Sequence, residues 1–131
     1  MQKKKRTVPT VQMILTVLVL ISFALATVAY AGEADVVKVS VRKKAENLYD
    51  FGVTVLHRDT GWDHYANRWE VLDGKGGVLA TRTLHHPHVK EQPFTRYLSN
   101  VAIPADIKRV TIRAHDSVHQ YGGKSREVEL P

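Results

Sequence analysis

The most regular strand pattern in the chain is Ile107-Lys108-Arg109-Val110-Thr111-Ile112-Arg113-Ala114-His115-Asp116. Apolar residues occupy every second position from Val110 to Ala114, and polar residues fill the positions between them. This period of two is typical of a β-strand that is buried on one face. In the same phase Asp116 points inward and His115 points outward. The run is therefore predicted to be a core strand that ends in a buried carboxylate.

Six other stretches alternate in the same way or are bounded by turn-forming residues, so the sequence predicts seven strands. The predicted strands are 35–42, 48–57, 64–72, 78–84, 94–98, 107–116 and 124–130. On the first strand, Val37, Val39 and Val41 are predicted to face inward. Residues 73–77 form the clearest hairpin turn. No helix longer than one turn is predicted after residue 31.

Seven short strands with Trp69 on the third resemble an immunoglobulin-like or fibronectin type III-like β-sandwich. The passage from Leu98 through Val101 and Ile103 into the sixth strand is similar to the connection between strands E and F of such domains. The resemblance implies an all-β, seven-stranded antiparallel sandwich with Trp69 in its core. The disulfide of antibody domains has no counterpart, because the chain contains no cysteine.

The first 31 residues have the pattern of a secretory signal peptide. Four basic residues precede an almost uncharged run, and Ala29-Tyr30-Ala31 puts small residues at positions −3 and −1 of a cleavage site. We therefore expect cleavage after Ala31 and export, to the periplasm, of a single domain formed by residues 32–131. A retained membrane anchor is the alternative, since an apolar run of about 20 residues can span a bilayer. No membrane association is expected once the signal peptide is removed.

The charge of the chain does not predict nucleic-acid binding. Lys and Arg number 19 and Asp and Glu number 13, but four of the basic residues lie in the predicted signal peptide. Residues 32–131 therefore carry a net charge of only +2, without a basic stripe interleaved with aromatic residues. The absence of cysteine also excludes disulfides and thiolate chemistry.

All seven histidines are predicted to gather at one end of the sandwich. Successive antiparallel strands reverse direction, so successive loops alternate between two poles. The second, fourth and sixth predicted loops, 58–63, 85–93 and 117–123, share one pole, and every histidine lies in one of them or at a strand end beside one. We call these three loops and the bordering strand ends the histidine pole. Binding residues are found on loops more often than on the strands that support them.

An imidazole-rich site without cysteine suits copper(II) or zinc(II). His86 and His88 are two apart in an extended segment and are expected to point to one face. The predicted metal ligands are His64, His86, His88, His115 and His119. Asp63, Glu91, Arg96 and Asp116 are predicted to support the pole, with Arg96 paired to Glu91 or Asp116.

Three alternatives to the transition-metal site remain open at this level. In the first, the pole is an interaction surface that contacts a protein partner, and its histidines are structural or pH-sensitive. Calcium could use the oxygen ligands of Asp59, Asp63 and Glu91, although no EF-hand spacing is present. Catalysis is not predicted, because adjacent residues such as Ser117, Asp116 and His115 point to different faces. The sequence specifies neither the protein partner nor the oligomeric state.

The signal-peptide prediction has a direct test. The exported protein should begin at Gly32, because the Ala-x-Ala sequence places the cleavage site after Ala31. Intact-mass measurement of the exported protein checks this. A mass that still includes residues 1–31 would instead indicate a retained membrane anchor.

Overall fold

The computed structural model describes residues 32–131, which form seven β-strands and no helix. The strands are β1 (Asp35–Ala45), β2 (Leu48–Leu56), β3 (Ala66–Leu72), β4 (Val78–Thr83), β5 (Phe94–Ala102), β6 (Arg109–Asp116) and β7 (Arg126–Glu129). The predicted signal peptide lies outside the described residues. Within residues 32–131, no helix is long and apolar enough to cross a membrane.

The seven predicted strands are all present, but each differs from the prediction in at least one bound, most of all β1 and β5. β1 continues to Ala45 rather than ending at Arg42, and β5 continues to Ala102 rather than ending at Leu98, with Val101 buried. In β1 the predicted inward phase of Val37 is wrong, because a register irregularity between Val36 and Lys38 brings Val36 into the core instead. An extra residue at a β-bulge shifts every side chain on one side of it by one position.

The strands form two antiparallel sheets, with the orders β1-β2-β5 and β4-β3-β6-β7. The chain passes from one sheet to the other between β2 and β3, between β4 and β5, and between β5 and β6. The first two of these crossovers are the predicted second and fourth loops. Both therefore lie where the two sheets meet, and residues in them are placed to face each other across the end of the core.

The core lies between the two sheets and is formed mainly by aromatic and branched side chains. Its largest fully buried members are Trp69, Phe51, Phe94, Ile103 and Ile112. Trp69 is central in β3, as predicted, and pairs in register with Ala114 of β6. The indole belongs to the same buried cluster as Val53 and Val55 of β2.

Replacing Trp69 with alanine should destabilise the domain by about 3–5 kcal/mol, because a large buried side chain would be exchanged for a cavity. Chemical denaturation measures this change. Trp62→Ala is the matched control, since Trp62 is 66% exposed and its loss should alter stability by no more than about 0.5 kcal/mol. Equal effects of the two substitutions would contradict the packing described here.

Candidate functional site

The three loops of the histidine pole converge, as the alternation of strand direction predicts. The backbone N–H of His88 donates to the Asp59 carboxylate at 2.6 Å, which joins the fourth loop to the second. The backbone N–H of Ser117 donates to the Tyr65 carbonyl at 3.0 Å, and the Tyr65 N–H donates to Ser117 Oγ at 3.1 Å, which join the sixth loop to the second. The pole is thus one connected surface.

The Asp59 carboxylate is fully buried at the centre of these connections. Its Oδ1 accepts hydrogen bonds from His57 Nδ1 at 2.5 Å and from the Ala66 N–H at 3.0 Å, while Oδ2 accepts from His88. Burial alone would raise the pKa of Asp59, but the hydrogen bonds from His57, His88 and Ala66 outweigh it and hold the pKa below its ordinary value. Asp59 is therefore an ionised acceptor.

This arrangement fixes the orientation of His57. An ionised carboxylate can only accept, so Nδ1 of His57 must carry the proton that it donates to Asp59. In the neutral ring Nε2 then carries a lone pair. That atom is fully buried and has no hydrogen-bond partner in the part of the chain that the structure describes.

His57, His64 and Asp116 together form a group that could hold a metal ion. One potential ligand atom from each residue lies within 4.8 Å of those of the other two. The His57 and His64 rings are 4.8 Å apart in an edge-to-face arrangement, and His64 Nε2 lies 3.0 Å from Asp116 Oδ1. Because Asp116 is held as an acceptor, His64 Nε2 carries the proton in this bond, and a metal would have to replace that proton. The group would then offer two imidazole nitrogens and one carboxylate oxygen at the end of the core.

Asp116 is the buried anion of this group, in the inward position that the sequence predicts. Its Oδ1 accepts the backbone N–H groups of Val118 and His119 at 2.9 and 2.7 Å. Burial would raise the pKa of Asp116, but those N–H groups and the nearby imidazoles keep the pKa lowered. Its Oδ2 is buried and, among residues 32–131, meets no hydrogen-bond donor.

The predicted ligand His119 borders the group, on the side nearer solvent. Its Nδ1 lies 3.5 Å from Asp116 Oδ1, and its ring lies 4.9 Å from that of His64. About a third of the side chain is exposed, so the ring has room to turn. His119 is thus adjacent to the three-residue group without being part of it.

His88 lies at the pole but has no lone pair to offer. Its ring stacks on Phe94 with the centroids 3.9 Å apart, and its Nε2 lies 2.8 Å from Nη2 of Arg96. A guanidinium only donates, so Nε2 of His88 is the acceptor. Burial and the charge of Arg96 both lower the pKa of His88, which keeps the ring neutral.

The predicted pair His86–His88 is therefore a pair of neighbours with different surroundings. The two rings are 4.6 Å apart, but His86 is exposed and its Nδ1 bonds to the Pro87 carbonyl at 3.0 Å. Arg96 also pairs with Glu91 at 3.4 Å, as predicted, rather than with Asp116. The fourth loop consequently contacts Asp59 at the pole and contributes none of the three residues of the group.

His115 and Asp63 do not join the group. His115 lies on the opposite face of β6, where its Nδ1 lies 2.6 Å from the Asn67 side-chain oxygen and its ring contacts Tyr121. Adjacent residues of a strand point to opposite faces, so Asp116 and His115 cannot serve one site. The side chain of Asp63 is exposed, and only its carbonyl takes part in the pole, where Ser117 Oγ donates to it at 3.4 Å.

His57 and Asp59 are the residues that the predicted ligand set omits. Both were placed at the pole by the sequence, and His57 continues the inward phase of β2. A histidine in a core phase followed two residues later by an aspartate is the available signal. This signal is too weak to predict that Asp59 accepts a hydrogen bond from the His57 ring.

A polar cluster on the outer face of the four-stranded sheet anchors the sixth loop. Glu70 accepts hydrogen bonds from Arg68 Nε at 3.1 Å, Arg113 Nε at 2.8 Å and the Tyr121 hydroxyl at 2.9 Å. The Arg113 guanidinium also lies 3.7 Å from the centre of the Tyr121 ring. Tyr121 is two residues from His119, so this cluster limits the movement of the loop that carries it.

The chain is similar to a protein of Halomicrobium mukohataei named "Putative lipoprotein". The two are 37% identical over 97 residues, which is 74% of this chain and 47% of that protein. The chain thus spans about half the length of the curated relative it matches. No known protein family and no solved structure matches the chain.

Glu70→Gln should reduce stability in a pH-dependent way. Burial raises the pKa of Glu70, but hydrogen bonds from Arg113, Tyr121 and Arg68 outweigh it and leave the pKa below its ordinary value of 4.5. The stabilisation is therefore complete above that value and is lost as pH falls through the lower, folded-state pKa. Urea unfolding should show the wild-type advantage at pH 7 and a much smaller one at pH 3.

Glu127→Gln is the control for this comparison, because Glu127 is exposed and pairs with Arg109 only at the surface. Such pairs contribute about 0–1 kcal/mol. If the wild type exceeds Glu70→Gln in free energy of unfolding by the same amount at pH 7 and at pH 3, Glu70 is not held as an ionised carboxylate.

Proposed function

We propose that this protein is a secreted metal-binding domain whose site for a divalent transition metal, zinc or copper, is formed by His57, His64 and Asp116. The observation that supports it most is the buried, unpartnered Nε2 of His57, whose ring Asp59 orients. One potential ligand atom of His57 lies within 4.8 Å of those of His64 and Asp116. Histidines that bind metals commonly donate their other ring N–H to a carboxylate, which fixes the tautomer. His57 and Asp59 have that relation.

The main rival for the same space is a structural network completed by a buried water. Buried polar atoms are nearly always hydrogen-bonded, and a purely structural network gains from satisfying all of them. Here His57 Nε2 and Asp116 Oδ2 both lack partners and belong to the same group. A metal ion and a water would each satisfy them, but a cation is favoured beside two ionised carboxylates.

The donor set favours zinc(II) or copper(II) over copper(I). Copper(I) prefers thiolate and thioether ligands, whereas the chain has no cysteine and its two methionines, Met1 and Met13, lie in the predicted signal peptide. His119 is the proposed fourth ligand. Tetrahedral zinc with bonds of about 2.1 Å sets its ligands about 3.4 Å apart. Binding would therefore close separations of up to 4.8 Å and widen the 3.0 Å contact between His64 Nε2 and Asp116 Oδ1.

We further propose an immunoglobulin-like β-sandwich domain at 32–131, exported by a signal peptide at 1–31 and working in the periplasm or outside the cell. The sheet order supports the first part, since β1-β2-β5 and β3-β6-β7 correspond to strands A-B-E and C-F-G. β4 pairs with β3, the position of strand C′ in variable-type domains. The name of the relative supports an extracytoplasmic location. A lipid held by cysteine sulfur has no attachment point in these 131 residues.

A second function, contact with a protein partner through the same pole, is favoured by exposed apolar side chains. Each of the three loops presents one: Trp62 is 66% exposed, Val89 53% and Val118 54%. Aromatic residues are enriched in protein interfaces. Metal binding and partner binding could share this surface, because none of the three exposed side chains belongs to the group of His57, His64 and Asp116.

Calorimetric titration of the purified protein with zinc(II) and copper(II) at pH 7.5 tests the metal site. We expect about one equivalent to bind, and His64→Ala to remove the binding. His64 is preferred to His57 for substitution because its side chain is partly exposed, so the variant should fold. A ligand present at 100 times its Kd should also stabilise the wild type by about 2.7 kcal/mol.

His115→Ala is the matched control, because it removes an imidazole from the other face of β6 and should leave metal affinity unchanged. Trp62→Ala should likewise bind metal normally while weakening any partner contact. Absence of saturable binding by the wild type would refute the metal site. Loss of binding in His115→Ala with retention in His64→Ala would refute the assigned ligands.

A further inference from the structure

A groove on the outer face of the three-stranded sheet lies apart from the histidine pole. Its floor is a row of register partners across the sheet, Ser40 on β1, Gly52 on β2 and Tyr97 on β5. Arg42 and Asp50 line one end. The groove has a volume of about 360 Å³, which is within the range of small-ligand clefts, roughly 300–1,000 Å³.

Gly52 allows the Tyr97 ring to lie against the sheet. A Cβ atom at this position would stand 2.8 Å from Tyr97 Cε1 and 2.5 Å from Ser40 Oγ, so any side chain would displace the ring or the hydroxyl. Glycine within a strand is unfavourable and often marks the close approach of another group. Tyr97 is nevertheless 68% exposed. The glycine thus creates an aromatic surface that is supported below and open to solvent.

Charged hydrogen-bonding groups stand beside this ring. Arg42 Nη2 donates to Asp50 Oδ2 at 2.7 Å, and the Asn100 N–H donates to Asp50 Oδ1 at 3.0 Å. Asp50 is thereby fixed in position, while Arg42 is largely exposed and retains free donors. A neutral hydroxyl-bearing ligand could both donate to the carboxylate and accept from the guanidinium.

The rim of the groove along β1 is basic. Alternate residues of a strand share a face, so Lys38 and Arg42 lie on the same side of the sheet as Ser40. Lys44 extends the basic row towards the end of the strand, where its Nζ bonds to Asn100 Oδ1 at 2.7 Å. The row places positive charge along a groove whose lining includes one carboxylate, that of Asp50.

We propose that this groove binds an acidic saccharide, with one sugar ring packed on Tyr97 and its carboxylate or sulfate groups directed to the basic row. The C–H face of a pyranose is apolar and packs on an aromatic ring, while its hydroxyls both donate and accept hydrogen bonds. The exposed ring, the Arg42–Asp50 pair and the β1 cations match these three properties. The site is independent of the metal group, since none of its lining residues belongs to the histidine pole.

Single-stranded nucleic acid is the nearest alternative, because it too uses aromatic stacking and cations. Such grooves provide aromatic rings for successive bases. The lining of this groove contains one exposed ring, and Phe51, the other aromatic residue in it, is buried in the core. One ring fits a single sugar better than a stacked strand.

Titration with an oligogalacturonate, an acidic oligosaccharide, tests the proposal, with an uncharged cello-oligosaccharide and an oligothymidylate as comparison probes. The wild type should bind the oligogalacturonate saturably and most tightly, with affinity that falls as salt screens the charges. Tyr97→Ala should bind about tenfold more weakly, the loss expected for one aromatic contact. Tyr97→Phe retains the ring and should bind nearly as well as the wild type.

Two further variants keep the test decisive if Tyr97→Ala does not fold. Arg42→Gln changes a largely exposed side chain and should weaken oligogalacturonate binding in a folded protein. Trp62→Ala, which removes an exposed aromatic residue at the histidine pole, should bind as the wild type does. Failure of the wild type to bind, equal affinity in Arg42→Gln, or tighter binding of the oligothymidylate would overturn the proposal.

Discussion

The buried carboxylate of Asp59 is the interaction on which the histidine pole depends. It holds the His57 ring, the backbone N–H at the start of β3 and the backbone N–H of His88. These groups belong to two loops that cross between the sheets. A charge of this kind is costly to bury unless it is fully hydrogen-bonded. The three hydrogen bonds offset that cost, and the one from His57 Nδ1 also fixes the direction of His57 Nε2.

The rest of the pole follows from this orientation. Because His57 donates Nδ1–H to Asp59, its buried Nε2 is left without a hydrogen-bond partner, and His57 lies together with His64 and Asp116 at the end of the core. Asp116 in turn is held by the turn of the sixth loop, and Glu70 secures the same loop through Tyr121. His88 is separated from the group by its own partner, Arg96. One end of the small sandwich thus holds the side chains of His57, His64 and Asp116 in fixed positions, and the same end carries exposed apolar side chains.

Much of this arrangement could be predicted from the sequence, because it depends on alternation and on strand number. Seven strands of period two predict an all-β fold, and reversal at each strand predicts that the histidine loops meet. The inward position of Asp116 follows from the phase of β6. None of this requires knowledge of individual contacts. The register irregularity beside Val36 shows where alternation fails to predict burial, since one inserted residue changes the phase of a strand.

The candidate group of His57, His64 and Asp116 could not be predicted, because it depends on hydrogen bonds between residues distant in sequence. His86 and His88 had favourable spacing, but the sequence does not reveal that Arg96 occupies the lone pair of His88. His115 and Asp116 are neighbours in sequence and lie on opposite faces. The pairing of His57 with Asp59 has only a weak sequence signal, an aspartate two residues after a histidine in the inward phase of β2.

The most direct test of the proposed site is X-ray diffraction from crystals soaked in zinc, recorded on both sides of the zinc absorption edge. A metal site at the pole predicts one strong anomalous peak about 2.0–2.1 Å from Nε2 of His57 and within bonding distance of His64 and Asp116. Nδ1 of His57 should remain hydrogen-bonded to Asp59. A peak elsewhere, or an ordered water between His57 and Asp116 with no anomalous signal, would contradict it.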